Sequence, residues 1–260
     1  SQKVFDKAKE KGLEVIDASC LDVIKTHDLI QDKLNEGYEI LYIGKKGHPE
    51  AEGAISIDEK RIHCIPTFTA SKTTIGEPQI GSYGLYFGRV TEEKGVETVI
   101  KAYEKLPEYT VKIMGDDTTD EAKRLKKYVK DHKMKNVEFL GFKSGEELED
   151  IIKGARFTLI PSIWYDNLPN TALESFQYSK PVIASNIGSL PELVSDGENG
   201  YLFEPSNVED LIKKIKMLDD DILVKKMGQA SRKRLENRFA PQSHYEALMK
   251  IFNEAVKNRK

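Results

Sequence analysis

Cysteine is scarce: the 260-residue chain holds two, Cys20 and Cys64, and neither stands in a CxxC or Cys/His pattern. That spacing supports neither a disulfide framework nor a zinc site. So few thiols fit a reducing compartment, and the cytoplasm is the expected location. No apolar run reaches membrane-spanning length, and the opening "SQKVFDKAKEKG" has no signal-peptide core. The chain opens on Ser1 rather than Met, which points to an excised or processed product. Positive charge is not in excess either, with 40 Lys and Arg against 43 Asp and Glu and a net charge of -3. The signs are mixed along the chain, so there is no basic stripe of the kind that nucleic acid or an acidic membrane selects. No internal repeat and no low-complexity tract interrupts the pattern.

What is present suits one large domain or two small ones, since 29.5 kDa with 39% apolar residues leaves ample material for a core. Short β-branched runs alternate with longer charged amphipathic stretches, which predicts an α/β fold of parallel strands joined by crossover helices. The candidate strands are residues 13–18, 38–44, 61–65, 83–88, 109–115, 137–141, 157–161, 181–185 and 200–203. Val96, Val99, Ile100 and Tyr103 fall at helical spacing within 95–106. Ser144 followed by Glu147 predicts a capping box for a helix over 145–154. Helical patterns over 206–218 and 221–237 follow, and Pro241 and Ser243 mark the break before a last helix, 242–257. Residues 66–82, rich in Pro, Gly, Ser and Thr, read as a long connecting loop.

Three clusters carry candidate chemistry. In "WYDNLPNTALESFQYSKPVIAS" (164–185), Pro169 suits the first helical position, and the amides of Asn170 and Thr171 then point out of a helix start, where an anion is favoured. This start follows a strand, at the carboxyl edge where open α/β sheets bind ligands. Glu174 lies one turn on from Asn170, and Asp166 stands in the preceding loop; two acids there would accept from sugar or ribose hydroxyls. Spacing leaves open the plainer alternative of a dipole-favouring Asp166 and a solvated Glu174. "YFGRVTEEKG" sets Gly88, Arg89 and Lys94 after a strand and before a helix, two cations able to neutralise a diphosphate, though such a pair is a weak signal alone. "NIGSLPELVSDGENGYLF" adds Gly188 and Ser189, a short helix from Pro191, and two tight turns.

In this order, "FGRVTEEKG", "FLGFKSGEEL" and "PSIWYDNLPNTALESFQYSKPVIASNIGSLPELVSDGENGYLFEP" resemble the C-terminal half of family-4 retaining glycosyltransferases of the GT-B fold, over roughly residues 58–260. The resemblance implies a Rossmann-like parallel sheet that binds a nucleotide diphosphate sugar as donor. It assigns Arg89 and Lys94, with the backbone at Gly88, to the diphosphate, Asp166 to the donor sugar's hydroxyls and Glu174 to the nucleotide ribose. Asp166 stands where Glu is usual. The segment at Leu168, Pro169, Asn170 and Thr171 falls on the phosphate-binding amides, Pro169 offering shape only, and Gly141 with Phe142 falls on the nucleobase loop. The implied reaction is glycosyl transfer with retained configuration and no obligatory metal, the helix start and cations stabilising the departing diphosphate. A two-carboxylate glycosidase explains these residues less well, because Asp166 and Glu174 stand beside phosphate-binding features.

Ahead of this half, "GLEVIDASCLDVIKTHDLIQDKLNEGYEILYIGKKGHPEAEG" resembles a segment of 4-hydroxy-3-methylbut-2-enyl diphosphate reductase, the iron-sulfur enzyme of isoprenoid synthesis, over roughly residues 1–57. The resemblance places Cys20 on a cluster ligand and His48 and Glu50 on residues that contact substrate and support proton delivery. Leu21 replaces the usual Pro, and the other two ligand-bearing segments are missing. A cluster held by one thiolate is chemically implausible. Cys20 is therefore expected to be a small buried or helix-start thiol, and His48 and Glu50 polar loop residues. The expected domains are a reductase-like α/β fragment, 1–57, and a donor domain, 58–260, joined near residues 56–61 in a chimera-like chain. The fragment either adds strands to the following sheet or packs as a small lobe. The last helix, which in complete GT-B enzymes crosses back to an N-terminal domain, must find another surface or expose Leu248, Ile251 and Phe252, which would favour self-association. Donor binding without turnover is expected over full catalysis, because no acceptor half is recognisable. The alternatives are a recombined fold without activity and a remnant of reductase activity.

Overall fold

The structure is a computed structural model and describes residues 35–36, 40–43, 62–65, 68–69, 79–165 and 168–258. Its strands are β1 (Ile40–Ile43), β2 (Ile62–Ile65), β3 (Tyr83–Phe87), β4 (Thr110–Met114), β5 (Val137–Gly141), β6 (Ala155–Ile160), β7 (Val182–Ser185) and β8 (Gly200–Phe203). Its helices are α1 (Val96–Glu104), α2 (Asp120–Asp131), α3 (Gly145–Gly154), α4 (Asn170–Gln177), α5 (Leu190–Leu193), α6 (Val208–Met217), α7 (Asp221–Arg238) and α8 (Pro241–Asn258). They fall into two compact units, Ser1–Phe68 with Arg238–Lys260, and Thr69–Asn237.

In the first unit, β1 and β2 pair in parallel, Ile40 opposite Ile62 and Ile43 opposite Ile65. They form a sheet of their own and add nothing to the larger one. Helix α8 supplies the apolar cover: Leu248 and Phe252 are buried with Ile65, and Ile251 packs at the margin. Of the two expected outcomes, another surface or exposure, α8 takes the first for Leu248 and Phe252, which find β2. The strand expected at 13–18 lies outside the described residues.

The second unit is a six-stranded parallel sheet in the order β5-β4-β3-β6-β7-β8. Parallel strands are covered on both faces, and β7, "VIAS", is buried at every position. Along β3 the faces alternate: Tyr86 enters the cluster with Val99, Ile113, Leu159 and Ile183. Its neighbours Leu85 and Phe87 enter the opposite one with Met114, Ile152 and Tyr178. The chain lays down β3, β4 and β5 in one direction, then returns to set β6 on the other side of β3. Crossovers of opposite sense meet at β3 and β6, and the carboxyl ends of strands at such a point are where open α/β sheets bind ligands.

Lys180 locks this unit from within. Only 1% exposed, its ammonium donates to the carbonyls of Gln79 (2.7 Å), Lys153 (2.6 Å) and Ala155 (2.7 Å). It thereby joins the end of α3, the start of β6 and the incoming chain.

Local details differ from expectation. Ser144 precedes α3 but makes no side-chain capping bond, and the Glu147 carboxylate instead accepts from Lys143 Nζ at 2.6 Å. Gly145 at φ 60 turns the chain away from capping-box geometry. Pro169 is the N-cap of α4, with extended ψ 126, one position before the helix proper. Helix α5 begins at Leu190, one residue before Pro191. Helix α2 was not anticipated: "DEAKRLKKYVKD" buries only Ala122, Leu125 and Val129, a stripe too narrow to stand out from its charge. Thr119 caps it, accepting from the Ala122 N–H at 3.1 Å.

Candidate functional site

Three strands end side by side on glycine. The Gly88 N–H donates to the Met114 carbonyl and the Gly115 N–H to that of Gly141, both at 3.0 Å. A Cβ on Gly115 would lie 1.8 Å from the Gly88 carbonyl oxygen, so the backbones after β3 and β4 touch with no room for a side chain. Gly141 turns at φ 70 and delivers Phe142, which is 75% exposed. The Asp117 carboxylate lies near Gly141 and pairs with Lys126.

After β3, "GRVTEEKG" folds into a 3-10 turn, Glu92–Lys94. The Tyr86 hydroxyl donates to the Arg89 carbonyl, and the Thr91 hydroxyl donates to the Glu93 carboxylate at 2.7 Å. That hydroxyl, the Glu93 backbone N–H, and the charges of Arg89 and Lys94 together hold the Glu93 carboxyl below its ordinary range. Both cations therefore lie within electrostatic reach of one carboxylate. Arg89 is exposed and Lys94 half-buried.

This turn is tied to the loop after β6. The Ile163 N–H donates to the Glu93 carbonyl at 3.0 Å. Gly95, at φ 66, packs so closely that a Cβ would stand 2.0 Å from the Pro161 carbonyl oxygen. A second tie runs to the loop after β7, where the Leu168 N–H donates to Ser189 Oγ at 2.8 Å, Leu168 itself holding φ 47. The loops after β3, β6 and β7 thus form one rim around the crossover.

Helix α4 starts on that rim with no side-chain cap on its first turn. The N–H groups of Asn170 and Thr171 have no partner inside the helix by geometry; that of Leu168 is already engaged by Ser189. The helix is fixed to the sheet by Thr158, whose hydroxyl donates to Ser175 Oγ at 2.8 Å, while Ser175 donates to the Thr171 carbonyl at 2.6 Å. Glu174, half-buried one turn into α4, makes no hydrogen bond or ion pair among the described residues. Burial pushes its carboxyl above the usual range. An unpartnered carboxylate held partly out of water is costly, and a hydroxyl-bearing ligand would relieve it.

Gly88, Arg89, Lys94, Gly141, Phe142, Leu168, Asn170, Thr171 and Glu174 therefore stand on one edge of one sheet, spread over the ends of β3, β5 and β6. Asp166, Cys20, His48 and Glu50 lie outside the described residues. Sequence reasoning did not find Gly95, Gly115 or Thr91. The glycines carried a signal, each following a strand or turn, but their need for close approach is visible only in the packing. A cleft of about 490 Å³ lined by Glu104, Thr110, His132 and Asn136 lies at the amino ends of β4 and β5, and contains none of the expected residues. Among the described residues, no group of three or more His, Cys, Asp or Glu could hold a metal ion, and no helix is long and apolar enough to cross a membrane.

The sequence profile of the glycosyl transferases group 1 spans residues 71–234, taking in all six strands and the whole rim. The chain belongs to the glycosyl transferases group 1. The profile of the LytB proteins also matches, over residues 1–140, so that the two overlap across β3, β4 and β5. Among curated relatives, 4-hydroxy-3-methylbut-2-enyl diphosphate reductase of Geobacillus sp. (strain WCH70) is 63% identical over 67 residues, 26% of this chain and 21% of that protein. The enzyme of Brevibacillus brevis is 58% identical over 65 residues, 25% and 21% of the two lengths. The chain thus spans about a fifth of the curated relatives it matches.

Solved glycosyltransferases share the fold. One from Rickettsia africae superimposes with a TM-score of 0.75 at 22% identity, covering 86% of this chain and 65% of that one. HepE from Anabaena, solved in complex with UDP, gives 0.76 at 17% identity over 94% and 70%. The C-terminal domain of a glycosyl transferase group 1 family protein from Francisella tularensis gives 0.55 at 27% identity over 63% and 89%. The group 1 glycosyl transferase region has the α/β architecture of GT-B proteins, a parallel sheet flanked by helices.

Proposed function

We propose that the unit Thr69–Asn237 binds a nucleotide diphosphate sugar on the rim at the β3/β6 crossover. The observation that carries this is Glu174, a half-buried carboxylate without a partner among the described residues, one turn into a helix with no side-chain cap, on the same rim as Arg89 and Lys94. In this reading the two cations and the Asn170 and Thr171 amides take the diphosphate, Gly88 gives it close backbone approach, and Leu168 contributes shape. Glu174 accepts from ribose hydroxyls, and Asp166 from those of the sugar. Gly141 and Phe142 hold the base. HepE, of the same fold, was solved with UDP-glucose, which supports this ligand class. Positive charge and helix amides aimed at the diphosphate stabilise it as it departs, the electrostatic contribution a glycosyl transfer needs. A cytoplasmic location belongs to the same proposal.

Calorimetric titration with UDP-glucose, GDP-mannose and ADP-glucose tests it. One of the three is expected to bind, at least about tenfold more weakly to Arg89→Ala or Lys94→Ala, each losing a charge-assisted contact. Failure of all three would overturn the donor assignment.

A second reading concerns origin. The reductase identity ends after 67 residues of a much longer enzyme, and the group 1 glycosyl transferase profile begins at residue 71. We infer a chimeric chain joined near residues 56–61, with domains 1–57 and 58–260; a genomic reading frame carrying the same junction would contradict an artificial origin. An iron-sulfur cluster does not fit, because the chain's two cysteines fall short of the three or four thiolates that such centres take.

A further inference from the structure

The single tryptophan of the chain, Trp164, is 59% exposed, in the run Ile163-Trp164-Tyr165 of which every member is exposed. Large apolar groups side by side in water mark a contact site. The chain is anchored at the first residue of the run and again at Leu168. The Ile163 N–H is bonded to Glu93, the Pro161 carbonyl packs against Gly95, Ser162 is buried, and Leu168 is bonded to Ser189. The indole N–H takes no partner among the described residues.

Place along the edge decides what this group meets. From β5 to β6 is three strand spacings, about 14 Å. With the base at the end of β5 and the diphosphate at the crossover, the glycosyl end of the donor points to β6 and β7, where Trp164 stands. What belongs beside the reacting sugar is the molecule that receives it.

We propose that Trp164 and Tyr165 form a saccharide platform, an acceptor subsite carried by this unit itself; the assignment rests on the donor reading above. A pyranose presents a face of C–H groups and a rim of hydroxyls. The flat indole covers the first, and its N–H donates to the second. Size favours this class of ligand: a stable protein partner needs about 800 Å² on each side, far more than three side chains offer, whereas one sugar ring matches one indole. The residues of the run carry no charge to complement an ionic ligand.

Because Trp164 is the only tryptophan, its emission reports the platform directly in the full chain. Methyl α-D-glucopyranoside, N-acetylglucosamine and maltose are titrated with and without saturating UDP, and UDP binding is measured separately by calorimetry. A saturable emission change at millimolar concentration is expected for at least one saccharide. By calorimetry, Trp164→Ala is expected to weaken that binding at least about tenfold, Trp164→Phe to retain most of it, and neither to change UDP affinity. UDP binding with no saccharide response up to about 50 mM overturns the platform and leaves the donor site standing. A saccharide response without UDP, GDP or ADP binding overturns the donor reading, and the acceptor role with it.

Discussion

Glu174 and Lys180 are both charged groups taken partly or wholly from water, and they differ in whether the protein answers the charge. Glu174 is unanswered among the described residues. Its folded pKa lies above the ordinary 4.5, so the folded state holds the proton more tightly. Its favourable contribution is full below pH 4.5 and is lost as pH rises through the folded value. Glu174→Gln is therefore expected to raise the melting temperature near neutral pH, with the difference vanishing by about pH 4. The same change is expected to weaken nucleotide binding about 10- to 100-fold, the loss of one charge-assisted hydrogen bond. Opposite signs on stability and affinity are the mark of a residue kept for its ligand. Lys180 is answered by three carbonyls, and Lys180→Met is expected to cost about 2–5 kcal/mol in denaturant unfolding by leaving them orphaned. Burial pushes its ammonium down to about 8 from 10.5. Between those values the unfolded chain holds more protons, so the parent gains stability with rising pH there and the variant lacks that slope.

At the scale of elements, the rim depends on contacts between loops. Gly95→Ala meets both a positive φ and the Pro161 carbonyl, and is expected to cost about 1–3 kcal/mol. Nucleotide affinity should fall with it, since the β3 loop is pushed off the β6 loop; thermal unfolding and calorimetry on the one variant check both. The strands from β3 to β8 were legible because each is a short apolar run bounded by turn residues, and β5 and β8 match residue for residue. Helix α2 was not, since Ala122, Leu125 and Val129, although helically spaced, form a thin apolar stripe among charged residues. The capping box failed for a local reason, Gly145 taking a left-handed turn that no Ser-x-x-Glu pattern reveals. Arg89, Lys94 and the α4 start were legible as charges and amides at strand ends. The ties that bring them onto one rim, Glu93 to Ile163 and Leu168 to Ser189, join residues distant in sequence.

Over the whole molecule, each compact unit has a core of its own, the larger on the six-stranded sheet. Phe252 packs with Leu248 and Ile65 in the smaller one, and Phe252→Ala is expected to destabilise that unit by about 3–5 kcal/mol. Hydrogen exchange should then accelerate at Ile62–Ile65 while the amides of β6 and β7 keep their protection. If the six-stranded unit holds a nucleoside diphosphate on the β3/β6 rim, hydrogen exchange with and without UDP, GDP and ADP reads it out residue by residue. One of the three is expected to slow exchange at residues 88–95 and 168–174, and to lose most of that effect in Glu174→Ala. Protection confined to the cleft at the amino ends of β4 and β5, or no protection by any of the three, would mean that this rim is not a nucleotide site.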